Sequence, residues 1–220
     1  MSLTYSEEKT GGDFTPIEPG TYAARCSAII DLGTQESTYD GETKAARKVM
    51  LSFEIVDPEA RRADGTPFKV SKRFTGSIHP KASLRKFLAS YRGRDFTPEE
   101  LQKFELNKIA GAPCLLNLTN DQVGDKTYTN ITSVVKLPKG MAAPDLSEPP
   151  VVFDLDKPDW EVFAGLSSRM QEIIGAAPEF PKKDMPKSVP SQAPAPAAKA
   201  AKPAPAGSGF DDMADDLCPF

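Results

Sequence analysis

From Tyr22 onward the chain alternates apolar and polar positions. Tyr22, Ala24, Cys26, Ala28 and Ile30 fall on one side, and Ala23, Arg25, Ser27, Ile29 and Asp31 on the other. A two-residue period of this kind predicts a half-buried strand. Val49, Leu51, Phe53 and Ile55 set against Lys48, Met50, Ser52 and Glu54 repeat it with a clearer apolar face. Between these strands, Tyr39-Asp40-Gly41-Glu42 marks a turn in a long connection, and Asp64-Gly65 marks another before a third strand, Phe68 to Thr75. The period then lengthens: Leu84, Phe87, Leu88 and Tyr91 recur at helical steps, and Gly93 supplies a stop. Thr97-Pro98-Glu99-Glu100 is a helix start, with Thr97 as N-cap, proline in the first turn and Glu100 closing a capping box. That second helix would dock through Leu101 and Phe104. Alternation returns at Cys114, Leu116 and Leu118 and, after Val123-Gly124-Asp125, in a last strand from Lys126 to Val135.

The order strand, strand, strand, helix, strand, strand predicts a mainly β chain with helical insertions. It is the order of an OB-fold-like five-stranded barrel with a helix between strands three and four, assigned here to residues 20–138. Other small α+β domains share that order. Residues 1–19 read as a flexible N-terminal arm. Residues 139–180 read as an extension, with a short strand at Val151–Phe153 and one short amphipathic helix. Its apolar face, Trp160, Phe163, Leu166, Met170 and Ile173, would pack on the barrel or on a second subunit. Residues 181–209 are Pro, Ala, Lys and Ser, a composition that cannot bury enough apolar surface to offset ordering entropy. They predict a disordered C-terminal tail, a semi-extended tether for whatever follows.

Charge changes this picture by its distribution. The chain carries a net −4, which on its own argues against a nucleic-acid partner. Residues 21–140, however, hold 19 Lys/Arg against 14 Asp/Glu, while residues 210–220 hold four aspartates and no base. A cationic body joined to an anionic tail suits a protein that binds a polyanion. Cys26, Cys114 and Cys218 are widely spaced, and with the single His79 they assemble no zinc-type ligand set. There is no P-loop lysine motif, no Gly-x-Ser-x-Gly and no His-Glu-x-x-His, so neither an enzyme nor a bound cofactor or metal is expected. The thiols fit a reducing compartment, and no apolar run reaches membrane-spanning length.

Residues 210–220, Phe-Asp-Asp-Met-Ala-Asp-Asp-Leu-Cys-Pro-Phe, are too few to fold alone and too acidic to build a core. They read as a peptide ligand, with carboxylates for a basic pocket and Phe220 for an apolar slot. This stretch resembles the C-terminal tip of bacterial single-stranded DNA-binding proteins through Phe210, Asp211, Asp212, Asp215, Asp216, Leu217, Pro219 and Phe220. Met213 and Ala214 interrupt the acids, and Cys218 precedes the final Pro-Phe. The body is unlike the ordinary bacterial domain, and the whole looks more like a phage-encoded relative. That resemblance implies single-stranded DNA binding and protection without sequence specificity in replication, recombination or repair, within the cytoplasm of a bacterial host. It also implies recruitment of replication or recombination enzymes through Asp211, Asp212, Asp215, Asp216, Leu217, Pro219 and Phe220. Homo-oligomerisation stays open.

An OB barrel binds single strands with cations for phosphates and aromatic faces for bases, framed by its first and last hairpin loops. The first loop region supplies Tyr39, Lys44, Arg47 and Lys48, the third strand Lys69, Lys72, Arg73 and Phe74, and the last hairpin Lys126 and Tyr128. Phe74 shares its parity with Phe68 and Val70, so core and base-stacker compete for it. Two rival readings remain: an adaptor whose barrel binds protein, and a small nucleic-acid enzyme using acids such as Asp31, Glu54 and Asp57.

Overall fold

Where β1 (Gly20–Tyr39) meets its partners, a bulge divides the sheet between two cores. The computed structural model describes residues 16–39, 42–124 and 126–181. β2 (Glu42–Ile55) runs antiparallel along one edge of β1, with register shifts between Cys26 and Ala28 and between Asp31 and Gly33. An extra residue in a strand swaps the side to which its successors point. Ala24, Cys26 and Ile29 therefore enter the main core, while Ala28, Ile30 and Leu32 face a second one. The expected single face from Tyr22 to Ile30 is thus corrected at Ser27. The long connection around Tyr39 is corrected too, because both strands continue to residues 39 and 42 and form one long hairpin.

β3 (Lys69–Thr75) pairs with β2, β4 (Pro113–Val123) takes the other edge of β1 from Gly20 to Arg25, and β5 (Lys126–Lys136) pairs with β4. The path is β3-β2-β1-β4-β5, antiparallel throughout. A sixth strand, β6 (Val151–Phe153), lies parallel to β1 beside Ala28–Ile30. Lys72 Nζ of β3 donates to the Ile131 carbonyl of β5 at 2.9 Å, and no ladder joins these two strands among the described residues.

Helix α1 (Ser83–Arg92) closes the main core between those two strands. Leu84, Phe87, Leu88 and Tyr91 are buried, as their spacing predicts. The Phe87 ring lies 4.8 Å from Phe74 of β3 and 5.9 Å from Phe53 of β2, and Ser90 Oγ donates to the Val134 carbonyl of β5. Gly93 ends the helix at φ 70°, its N–H returning to Ser90 and that of Arg94 to Ala89. The short helix α2 (Pro98–Gln102) has the predicted capping box between Thr97 and Glu100. Leu101 and Phe104 pack on the core, Phe104 from just beyond the helix end. The N-terminal arm is shorter than expected: Ile17 is buried in the main core, and its carbonyl accepts from Asn120 Nδ2.

The extension is built of two helices rather than one, α3 (Trp160–Gly165) and α4 (Ser168–Gly175). Leu166 is extended, and the Ser167 hydroxyl restarts the chain by accepting from Met170 N–H. The predicted apolar residues nevertheless share one cluster. Phe153, Leu155, Phe163, Ile174 and Ala177 cover Ile30 and Leu32 of β1 and Met50 of β2, with Trp160, Leu166, Met170 and Ile173 packed around them. Gly33, at φ 68°, permits this approach, since a Cβ there would come within 2.5 Å of Ala177 Cβ and 2.7 Å of Leu155 Cδ2.

Candidate nucleic-acid interface

Strand parity sorts the predicted cations. Paired residues of neighbouring strands project to the same side, so Val49 with Phe74, Leu51 with Lys72 and Phe53 with Val70 form the inner face of β2–β3. The outer face carries Lys48 with Thr75, Met50 with Arg73, Ser52 with Ser71 and Glu54 with Lys69. Lys44 lies two alternations further out on β2, on the side of Lys48. Lys44, Lys48, Arg73 and Lys69 therefore share one side of two adjacent strands. Lys44 and Arg47 are strand residues and not the loop residues anticipated, while Lys48 stands in β2 as its alternation predicts.

These cations differ in what they already touch. Lys48 Nζ reaches Thr75 Oγ1 at 3.1 Å. Lys69 pairs with Glu148 of the extension at 3.1 Å. Arg47 is held by Asp31 and by Asp156, the latter at 3.0 Å; its guanidinium pKa is raised, chiefly by the Asp31 hydrogen bond. Arg73 is exposed and has no carboxylate partner among the described residues. Lys72 lies on the inner parity, its ammonium 5.8 Å from the Phe74 ring centroid and bonded to the Ile131 carbonyl at the β3–β5 seam. Phe74 is corrected: at 3 % exposure, its ring tilted against Phe87, it is core and offers no face to a base.

Tyr128, opposite Asp121 on β5, is 49 % exposed. β3 and β5 each lie two antiparallel steps from β1, one through β2 and the other through β4, and so run in the same direction. Lys69 and Tyr128 both stand three residues before the Lys72–Ile131 contact, which brings the aromatic ring roughly level with the lower end of the cationic row. The side chains of Tyr39 and Lys126 lie outside the described residues, as do Asp211, Asp212, Asp215, Asp216, Leu217, Pro219 and Phe220.

No protein-family model and no curated protein matches this chain.

The strand pattern indicated the extension but missed where it sits on the sheet. The extension takes over the β1 side of the outer face, and its segment around residues 147–149 borders β3. A cleft of about 470 Å³ separates the two, with Ser52, Ser71 and Lys69 on the sheet side and Val151, Leu166 and Met170 on the other. Glu54, only 2 % exposed, accepts from Ser147 N–H at 2.8 Å and from Ser147 Oγ at 2.7 Å. Those two donors meet the demand of a buried carboxylate for hydrogen bonds. The available signal was Met50, an apolar residue on the side of β2 assigned to solvent. Among the described residues, no three His, Cys, Asp or Glu side chains come together as metal ligands, and no helix is long and apolar enough to cross a membrane.

Proposed function

We propose that the chain binds single-stranded DNA without sequence preference along the outer face of β2–β3, and that residues 210–220 recruit partner enzymes. The observation that carries this is the gathering of Lys44, Lys48, Arg73 and Lys69 on one side of two adjacent strands. The strand path β3-β2-β1-β4-β5, with β3 and β5 approaching at Lys72 and Ile131, has the order of a partly open OB barrel. In that architecture strands two and three and the hairpins after strands one and four form the oligonucleotide face. Here the row of ammonium and guanidinium groups would follow the phosphates, while Tyr128 offers a ring to a base; each such stack contributes roughly 1–3 kcal/mol. Backbone contacts of this sort read charge and spacing, not base identity, which accounts for sequence tolerance.

The test is an anisotropy titration of labelled oligo-dT with the full chain over a range of salt. Affinity should fall with salt by about 0.7 log unit per decade for each phosphate neutralised. A second reading, the protein-binding adaptor, is favoured by the extension, whose Glu148 and Asp156 already occupy Lys69 and Arg47. Absence of salt-sensitive oligo-dT binding would sink the first reading and leave the second.

A further inference from the structure

A second cleft, of about 600 Å³, lies on a different part of the molecule, and none of its lining residues belongs to β2 or β3. It is bounded by the end of α1, by α2 and the short 3-10 turn Leu106–Ile109, and by the facing ends of β4 and β5. Its rim holds five cations, Arg92, Arg94, Lys103, Lys108 and Lys136, against two carboxylates, Glu100 and Glu105. Arg92 and Arg94 share Glu100, and Lys108 pairs with Glu105. Lys103 and Lys136 have no carboxylate partner among the described residues, and Arg92 Nη1 is buried without an acceptor there. The interior is apolar, lined by Phe104, Ile109, Ala112, Pro113 and Leu137. A cationic rim around an apolar floor is complementary to a short acidic peptide that carries large apolar side chains.

Such a peptide exists in the same chain. Residues 210–220 hold Asp211, Asp212, Asp215 and Asp216 with Leu217 and Phe220. The described body ends at Pro181, so 28 residues separate it from Phe210. At roughly 3 Å per residue for a proline-rich segment, that length reaches some 80 Å, about twice the width of a body this size. A tether of this kind places its end at an effective concentration on the order of mM. We propose that the cleft between α1, α2 and the β4–β5 ends is a docking site for residues 210–220 of the same chain. The aspartates lie on Lys103, Lys108 and Lys136, and Phe220 or Leu217 sits on the Phe104–Ile109 floor. This parks the recruiting peptide away from the β2–β3 face, so that partner enzymes must compete with the body for it. The inference rests on reading residues 210–220 as a peptide ligand, and it is independent of DNA binding.

The test is disulfide trapping in the full chain. Glu105, on the same rim, is 62 % exposed on its side chain, so Glu105→Cys keeps every cation of the cleft, and Asn107→Cys in the exposed 3-10 turn serves as a second variant. Cys26 and Cys114 are both 0 % exposed and stay out of the exchange, leaving native Cys218 as the partner. Under mild oxidation, the Glu105→Cys and Asn107→Cys chains should each form an internal disulfide to Cys218, mapped by mass spectrometry. That linkage should form about tenfold faster than the corresponding one to Cys218 in Arg73→Cys. Raising salt to about 1 M, or changing the four aspartates to asparagine, should remove most of that advantage. Equal or faster trapping at position 73 overturns the proposal, as does linkage found only between molecules or linkage indifferent to the aspartates. Oligo-dT binding by the same variants reports separately on the β2–β3 face.

Discussion

Arg73→Ala isolates one cation of the proposed DNA face. Arg73 projects from the outer side of β3 opposite Met50, is exposed, and has no ion pair to lose among the described residues, so the change should leave the fold intact. Lys44, Lys48, Lys69 and Arg73 share that side. If each neutralises one phosphate, log K should fall with log salt at a slope near −2.8, and Arg73→Ala should bring it to about −2.1. Carried back from 1 M salt, one lost contact of this kind weakens binding by about fivefold at 0.1 M and by almost nothing near 1 M. Anisotropy of labelled oligo-dT at five or six salt concentrations measures both quantities. Lys81→Ala is the comparison, because Lys81 is exposed ahead of α1 and lies off the sheet. An unchanged slope in Arg73→Ala, or an equal drop in Lys81→Ala, would refute the assignment of the face.

Other consequences are open to direct measurement. Glu148→Gln releases Lys69 from its ion pair and should tighten oligo-dT binding at low salt, with the gain fading as salt rises. Removal of residues 210–220 takes away four negative charges and should also tighten binding at low salt by easing the chain's repulsion of phosphates; unchanged or weaker affinity speaks against such a charge effect. Phe163→Ala empties a site ringed by Phe153, Trp160 and Phe180 at 5.4 to 5.9 Å and should cost about 3–5 kcal/mol of extension stability. Urea melts followed through Trp160, the only tryptophan, would register it. Glu100 has its carboxyl pKa lowered to about 2, first by Arg92, then by Arg94 and the Thr97 N–H. A folded pKa below the unfolded value stabilises above the ordinary carboxylate range, and the contribution is lost as pH falls from 4.5 toward 2. Thermal melts of the native chain and Glu100→Gln should therefore differ at neutral pH and converge across that interval.

Most of the strand and helix order could be read from periodicity, because burial on one face leaves a mark every second or every third and fourth residue. Val49, Leu51, Phe53 and Ile55, and then Leu84, Phe87, Leu88 and Tyr91, are the clearest cases. The capping box at Thr97 and the stop at Gly93 were legible for a local reason: each is a bond between neighbours in sequence. What escaped depends on distant contacts. The bulge at Ser27 looks like unbroken alternation until the extension supplies apolar partners for Ile30 and Leu32. The break between α3 and α4 was hidden because Trp160, Phe163, Leu166, Met170 and Ile173 keep helical spacing across it. On the candidate face, residue type found the cations, but only strand register separated Arg73 and Lys48 from Lys72 and Phe74.

The flanks of β1 limit how copies of this protein could meet. One flank is taken by β2 along most of its length, and the other by β4 up to Arg25 and by β6 from Ala28 to Ile30. Just beyond, Glu179 accepts the Thr34 amide at 3.0 Å and also binds the Thr34 hydroxyl. A neighbouring molecule thus finds the central strand of the sheet already sealed against main-chain zippering from Gly20 to Thr34. Any lasting assembly through this strand would have to be held by side chains instead.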